Sequence, residues 1–485
     1  MSLLEDPQWS GALYSGTWRR TAAATADVVE PATGALLGSV GVATREDVQR
    51  AATAAASAQK DWAKRSPEQR AAVLRKAGLL WEQHAEEIQG WIVRESGAIL
   101  PKAQLETHTA ANECFDASAL PSLKQGDVLA SNEARWSFAR HLPVGVVSVI
   151  APFNFPLILA IRSVAPALAL GNAVLLKPDL RTTVSGGVSI VRIFEEAGLP
   201  EGLLHLLPGG VEVGEALVEA PEVRVVSFTG STAAGRAVGA LGARHLKRVH
   251  LELGGKNALI VLPGADLARA TSAGAFGSFM HQGQICMATG RHLVHESMFN
   301  EYVDALASTA RALPVGDPAS AQVALGPIID QRQLDRIDSV VRRTVEMGGI
   351  VAAGGTHQDL FYAPTVMTGL GAGMPAWQEE IFGPVAPVRS FANLDEATAI
   401  ATDNEYGLSL GILGDVGMAM ELADRIPSGK IHINEQTVSD ESNAPFGGVG
   451  WSGNGSRIGG AETNLDAFTD VQWLTMRSTI AEYPF

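Results

Sequence analysis

Cysteine is nearly absent: 485 residues carry only two, Cys114 and Cys286. Neither belongs to a Cys-x-x-Cys or Cys/His spacing, so no disulfide framework and no metal site is expected. A reducing compartment suits such a chain. Long apolar runs are missing as well, since no uncharged stretch reaches the roughly 18 residues of a membrane span. The stretch from Met1 to Pro7 has no basic segment leading into an apolar one, so no signal peptide is expected. The expectation is a soluble, cytoplasmic protein. Positive charge is also in deficit. With a formal net charge of −15 and no basic block to offset it, neither nucleic acid nor a membrane is expected as a partner.

What is present is an alternation of short apolar runs and helical patterns. Residues 1 to 43 are mixed and turn-rich, and helical periodicity covers 45–62 and 67–95. Cys114 falls in the next helical segment, where it reads as packing. From 135 to 142 large and polar residues alternate, as in an extended ribbon. The runs 146–150, 173–176, 203–207, 223–228 and 259–262 are apolar throughout and separated by helices, the pattern of a parallel sheet covered on both faces. After residue 253 the alternation restarts, with helices at 266–280, 299–312 and 331–347 and a strand at 290–294. The expected fold class is α/β: two doubly wound domains with a cleft between them, plus a β-ribbon. The apolar end, 471–485, would pair with that ribbon or with another subunit.

Several stretches sit where such folds place chemistry. Ala151-Pro152-Phe153-Asn154 follows a buried strand, and an Asn amide there either caps the next helix or donates to a developing oxyanion. Lys177-Pro178-Asp179 ends another strand; its ammonium is either a solvated loop charge or a holder of ribose and phosphate oxygens. Phe228-Thr229-Gly230-Ser231, running into Gly235-Arg236, is strand, small residues, then helix, as in a pyrophosphate cradle. It lacks the Lys-Ser/Thr of a P-loop and the usual three-glycine spacing. Gly448-Val449-Gly450-Trp451-Ser452-Gly453 has that spacing, but no strand precedes it, so it reads as a loop. Glu252, in Leu251-Glu252-Leu253-Gly254-Gly255-Lys256, is an acid among apolar residues: a structural salt bridge, or a base whose pKa burial has raised. Cys286, in Gly283-Gln284-Ile285-Cys286-Met287, is either structural or a nucleophile.

Taken together in this order, and with Glu379-Glu380-Ile381-Phe382-Gly383-Pro384, these motifs resemble the NAD(P)-dependent aldehyde dehydrogenase superfamily over nearly the whole chain. The resemblance implies Cys286 as nucleophile, Glu252 as the base that activates water, and Asn154 with the Cys286 backbone N–H as oxyanion hole. It implies that Lys177 and Glu380 hold the cofactor riboses and that Phe382 touches the nicotinamide ribose. Gly209, Gly230, Ser231 and Gly235 would line the adenosine and pyrophosphate region, with Ile150, Ala151, Pro152, Phe153, Asp179, Arg181, Phe228 and Leu253 completing the cofactor surface. It further implies an NAD(P)-binding domain from 1–134 and 145–252, a catalytic domain over 253–437, and a return to the cofactor domain over 438–470. Strands 135–144 and 471–485 would build a homodimer or homotetramer.

Within the superfamily, the Cys286 segment, the stretch 431–441 and Pro445-Phe446-Gly447-Gly448 look most like the benzaldehyde, vanillin and salicylaldehyde dehydrogenases. An aromatic aldehyde substrate follows, with Phe153, Ile285, Met287 and Val438 as its apolar walls; aliphatic aldehydes or semialdehydes are the alternative. Glu252 argues against a relative in which coenzyme A resolves the thioester. The cofactor is NAD or NADP. Many NAD-using relatives carry a Glu three residues after the lysine, where Leu180 stands here. Its loss removes a repulsion and Arg181 could pair with a 2′-phosphate, while Asp179 pulls the other way.

Overall fold

A computed structural model describes residues 2–4, 7–21 and 24–485. Met1, Glu5, Asp6, Ala22 and Ala23, which belong to the N-terminal readings above, lie outside the described residues.

The apolar runs form the strands of two separate seven-stranded sheets. In the first, Val146–Ile150 lies at the centre of parallel strands, buried at every position. Ala173–Lys177 and Leu204–Leu206 add on one side of it, Val223–Thr229 and Arg248–Glu252 on the other. Strands buried on both faces need uninterrupted Val, Leu and Ile, which is why these runs show no alternation. The order reverses between Val146–Ile150 and Val223–Thr229, so a crevice opens beyond their carboxyl ends, the usual place for a ligand in such sheets.

Helices cover the sheet, and their starts are chemically marked. Thr44 and Ser66 each close a capping box, on Arg45–Trp62 and Pro67–Gln83. The expected single helix over 67–95 is in fact two: Pro67–Gln83 ends at His84 and Ala85–Ser96 follows. His84 leaves helical geometry there, a break that the amphipathic pattern does not reveal. The turn-rich start also contributes more than expected. Ala12–Ser15 and Trp18–Arg20 extend the first sheet antiparallel, Ala12–Ser15 pairing with Leu204–Leu206.

The second sheet contains Asn257–Val261 flanked by Thr289–His295 and Ser409–Leu413, with Lys430–Ile433 next to the latter, all parallel. Glu252 ends a strand of the first sheet and Asn257 begins one of the second, so the two sheets meet end to end across Leu253-Gly254-Gly255-Lys256. The ribbon forms as expected, Thr469–Met476 pairing antiparallel with Trp136–Pro143. It starts and stops earlier than the 471–485 reading, and a third strand, Gly126–Val128, joins it. Among the described residues no helix is long and apolar enough to cross a membrane.

Candidate active site

The carboxyl ends of the first sheet face the amino ends of the second, and Cys286, Glu252 and Asn154 all lie on loops or strand ends at this junction. Cys286 sits just before the strand Thr289–His295, partly exposed, whereas Cys114 is fully buried. The approach to Cys286 is a left-handed run: His281, Gln282 and Gly283 have φ of 47°, 56° and 65°. Two of these are not glycine, so the conformation costs energy unless it is held. Gln282 holds it by donating from Nε2 to the carbonyls of Gly97 at 2.9 Å and Pro327 at 2.8 Å. Beyond the cysteine, Asn257 Nδ2 donates to the carbonyls of Cys286 and Ala288, each at 2.8 Å, and its Oδ1 accepts from the Ser409 amide at 3.0 Å. Thr437 Oγ1 donates to the Met287 carbonyl at 2.7 Å. Successive carbonyls from Cys286 to Ala288 are thereby fixed, which leaves the backbone N–H and the thiol as the groups free to meet a ligand.

Gly254 and Gly255 are required by close approach. A Cβ on Gly254 would strike the Glu380 carboxylate, and one on Gly255 the Cys286 carbonyl. Their absence lets Glu380 accept from the Gly255 amide at 3.0 Å.

Asn154 is buried, and its side chain makes no hydrogen bond among the described residues. Its backbone is anchored instead. Lys102 Nζ donates to the Asn154 carbonyl at 2.8 Å and pairs with Glu106, whose other oxygen accepts from the amides of Leu157 and Ile158. The cap reading for the Asn154 side chain fails, since the helix Pro156–Ala169 has no side-chain cap. Its amide remains unengaged. Both Glu252 oxygens are buried without a hydrogen-bond partner. Burial drives its carboxyl pKa well above the ordinary range, against the pull of Arg457, Arg162 and Lys430. The structural salt-bridge reading fails for it too. The Cys286 thiol is pushed up to about 12 by burial first and then by Glu380.

Several of the residues expected to hold a cofactor stand at the carboxyl ends of the strands on either side of the reversal point. Ala151 donates to the Lys177 carbonyl at 3.0 Å, tying the strand ends of Ile150, Ala151 and Pro152 to Lys177. Ser231 caps the helix Thr232–Arg244. Gly230 lies against the Phe228 ring, Gly235 against Leu253, and Gly209 against Val213, while the Gly230 amide donates to the Glu252 carbonyl at 3.0 Å. Lys177 is largely buried, with no hydrogen bond or ion pair among the described residues, and burial lowers its pKa. A largely buried cation without a hydrogen-bond partner, its stem against Gly214 in the first turn of the helix Val211–Glu219, fits a dinucleotide's oxygens. Phe382 has φ of 56° and its carbonyl accepts from Gln333 Nε2 at 2.9 Å. Its ring meets Phe153 edge-on at 5.8 Å.

Two expectations change here. Arg181 is fully engaged: it forks onto Asp179 at 2.8 and 2.9 Å, reaches Asp330 at 2.6 Å, and lies over Phe153 at 4.2 Å. It is a clasp between the two halves, with its charge already matched by two carboxylates. Phe153 packs against Arg181 and Phe382. The apolar cluster around Cys286 contains Ile285, Met287 and Val438 together with Leu408, Phe446, Phe155 and Met280, and Phe153 is not among its members.

The sequence reading also passed over the charges beneath that cluster. Arg162 pairs with Glu113 at 2.8 Å and Asp440 at 2.6 Å, and Asp440 pairs with Lys430 at 2.6 Å. A signal existed: Arg162 directly follows Leu157-Ile158-Leu159-Ala160-Ile161, and a guanidinium inside so apolar a helix needs a buried counter-charge. Among the described residues no cluster of metal-ligating side chains occurs.

Comparison with known proteins agrees with this geometry. The model of the aldehyde dehydrogenase family matches residues 18–474. A vanillin dehydrogenase from an Amycolatopsis species is 60% identical over 486 residues, with 100% of both chains covered. A benzaldehyde dehydrogenase (NAD+) from Pseudomonas putida is 47% identical, with 99% of both covered. Among solved structures, a salicylaldehyde dehydrogenase from Pseudomonas putida G7 in complex with salicylaldehyde superposes with a TM-score of 0.94 at 34% identity, covering 98% of this chain and 99% of that one. A betaine aldehyde dehydrogenase from Staphylococcus aureus in complex with NAD+ gives 0.95 at 29% identity, covering 99% and 97%. The chain belongs to the aldehyde dehydrogenase family.

Proposed function

We propose that this protein oxidises aromatic aldehydes to carboxylic acids with NAD as cofactor, Cys286 acting as nucleophile, Glu252 as base and Asn154 as oxyanion donor. The observation that carries the reading is the convergence of an accessible thiol, an unpartnered buried carboxyl and an unengaged Asn amide at one junction. The Cys286 thiolate adds to the aldehyde carbon, and the new alkoxide is held by the Asn154 amide and the Cys286 N–H. NAD, when bound, would be held by Lys177, Glu380 and the capped loop at Ser231 and would supply the acceptor for the hydride that leaves the aldehyde carbon. Collapse of the tetrahedral adduct leaves a thioester on Cys286. Glu252, in its ionised form, removes a proton from water as that water attacks the thioester, releasing the acid and restoring the thiol.

The aromatic substrate follows from the apolar lining of Ile285, Met287, Val438 and Phe446 beside Cys286, together with the vanillin and benzaldehyde dehydrogenases among its relatives. NAD rather than NADP follows from the neutralised Arg181 and the acid beside it. Self-association follows from the ribbon, where Val471, Trp473 and Met476 are exposed on the open edge strand and Trp136 is exposed on the strand beside it. The test is the initial rate of nicotinamide reduction with benzaldehyde, vanillin and a short aliphatic aldehyde, each with NAD and NADP. Preference for the aromatic pair with NAD is expected; equal or faster aliphatic turnover would overturn the substrate assignment while leaving the chemistry.

A further inference from the structure

The buried charges beneath the active site form one alternating series. Glu113, on the helix Leu100–Ala119, holds Arg162 on Pro156–Ala169; Arg162 holds Asp440; Asp440 holds Lys430, the first residue of the strand Lys430–Ile433. The series ends at the nucleophile's own cluster. Lys430 Nζ lies 3.6 Å from the Met287 sulfur and 4.1 Å from the centre of the Phe446 ring, both members of the apolar group that packs Cys286. The register of the second sheet explains this placement. Lys430 stands opposite Ser409, and the neighbouring strands begin at Asn257 and Thr289, so these residues line one edge of the sheet. Asn257 and Ser409 already hold the Cys286 segment, directly or through Thr437.

We propose that Lys430 is a positioning residue for the nucleophile, its ammonium fixed by Asp440, which Arg162 holds in turn, so that positive charge stands beside the Cys286 sulfur before substrate binds. A buried ammonium against apolar side chains is costly unless its charge is used or matched. Of the charged groups acting most strongly on the thiol, Glu380 from the loop after Pro375–Gln378, Glu252 from the end of the first sheet, and Asp440 are acidic. Lys430 is the cation that opposes them. The ammonium itself is faced by Asp440, Arg162 and the thiol, with His432 further along the same strand. The inference rests on Cys286 as the nucleophile, and its test separates the two.

The experiment is the pH dependence of carboxamidomethylation by iodoacetamide, in which the sulfur–carbon bond forms and iodide leaves, located by mass spectrometry on the wild type, Lys430→Met and Lys430→Arg. Cys114, fully buried, serves as the silent thiol. Modification confined to Cys286, with a midpoint raised by about one unit in Lys430→Met and restored in Lys430→Arg, is expected; near pH 7 the methionine variant would then react about tenfold more slowly. Lys430→Gln keeps a donor toward Asp440 and decides in the same way if the methionine variant does not fold. An unchanged midpoint in a folded neutral variant, or no restoration by arginine, overturns the proposal. Failure of Cys286 to react in the wild type overturns the nucleophile assignment instead.

Discussion

Replacing Asn257 by alanine should uncouple the two halves of the active site. The side chain is buried and makes hydrogen bonds to the carbonyls of Cys286 and Ala288 at 2.8 Å each and from the Ser409 amide at 3.0 Å. At about 1 kcal/mol net for each, their loss removes roughly 3 kcal/mol, and more if a group stays buried without a partner. For domains of this size that corresponds to a melting temperature lower by roughly 6–12 °C. The catalytic effect should exceed the stability effect. With its carbonyl released, the Cys286 peptide can rotate, and a displacement near 1 Å in a reacting group costs on the order of 100-fold. Scanning calorimetry would be paired with steady-state turnover of an aromatic aldehyde, using Asn257→Asp as the variant that keeps shape but loses both donated bonds. A melting decrease with kcat/KM within a factor of three of wild type would refute the reasoning, because Asn257 would then support the sheet edge without orienting the nucleophile.

Glu252→Gln should give a burst of about one reduced cofactor per site followed by a rate lower by about 100-fold or more, since acylation survives and water activation does not; stopped-flow absorbance checks this. Because burial raises the Glu252 pKa, its base form is lost as pH falls through that raised value, so wild-type turnover should fall on the acid side at a pH well above the ordinary carboxylate range. Arg181→Leu should weaken NAD binding to the free enzyme without creating NADP binding, as read by quenching of tryptophan fluorescence; a gain of NADP affinity would contradict the clasp. Lys102→Met should cost roughly 3–5 kcal/mol, leaving Glu106 buried without its cation, as measured by urea unfolding. His250 is buried neutral, its pKa lowered from 6.5 to about 4; such a depressed group contributes stability at neutral pH that is lost as pH falls from 6.5 toward 4, and His250→Phe should flatten the urea midpoint over that window.

The parallel strands and the chemistry at their ends were legible because burial on both faces demands uninterrupted apolar runs, and because Cys286, Glu252 and Lys177 follow or precede those runs at once. What stayed hidden depended on partners distant in the chain. Arg181 reads as a free cation until Asp330, 149 residues on, is placed against it. Phe153 reads equally as a cofactor contact and as a substrate wall, and its packing against Phe382 and Arg181 depends on residues far along the chain. The break at His84 leaves the amphipathic pattern intact on both sides and so gives no periodic signal. Lys430 and Asp440 look like ordinary loop charges, because nothing in their neighbourhood announces Arg162 from another element.

The strand Thr469–Met476 has a further consequence. From its second residue to its last it is exposed, with two tryptophans, Trp136 and Trp473, standing out from the ribbon it forms. On the self-association proposed above, that face is covered by mass action, and every tenfold increase in protein concentration adds about 1.4 kcal/mol to the driving force for covering it. Stability measured on dilute and on concentrated samples would then differ, and the apparent robustness of this enzyme becomes a property of the solution as much as of the chain.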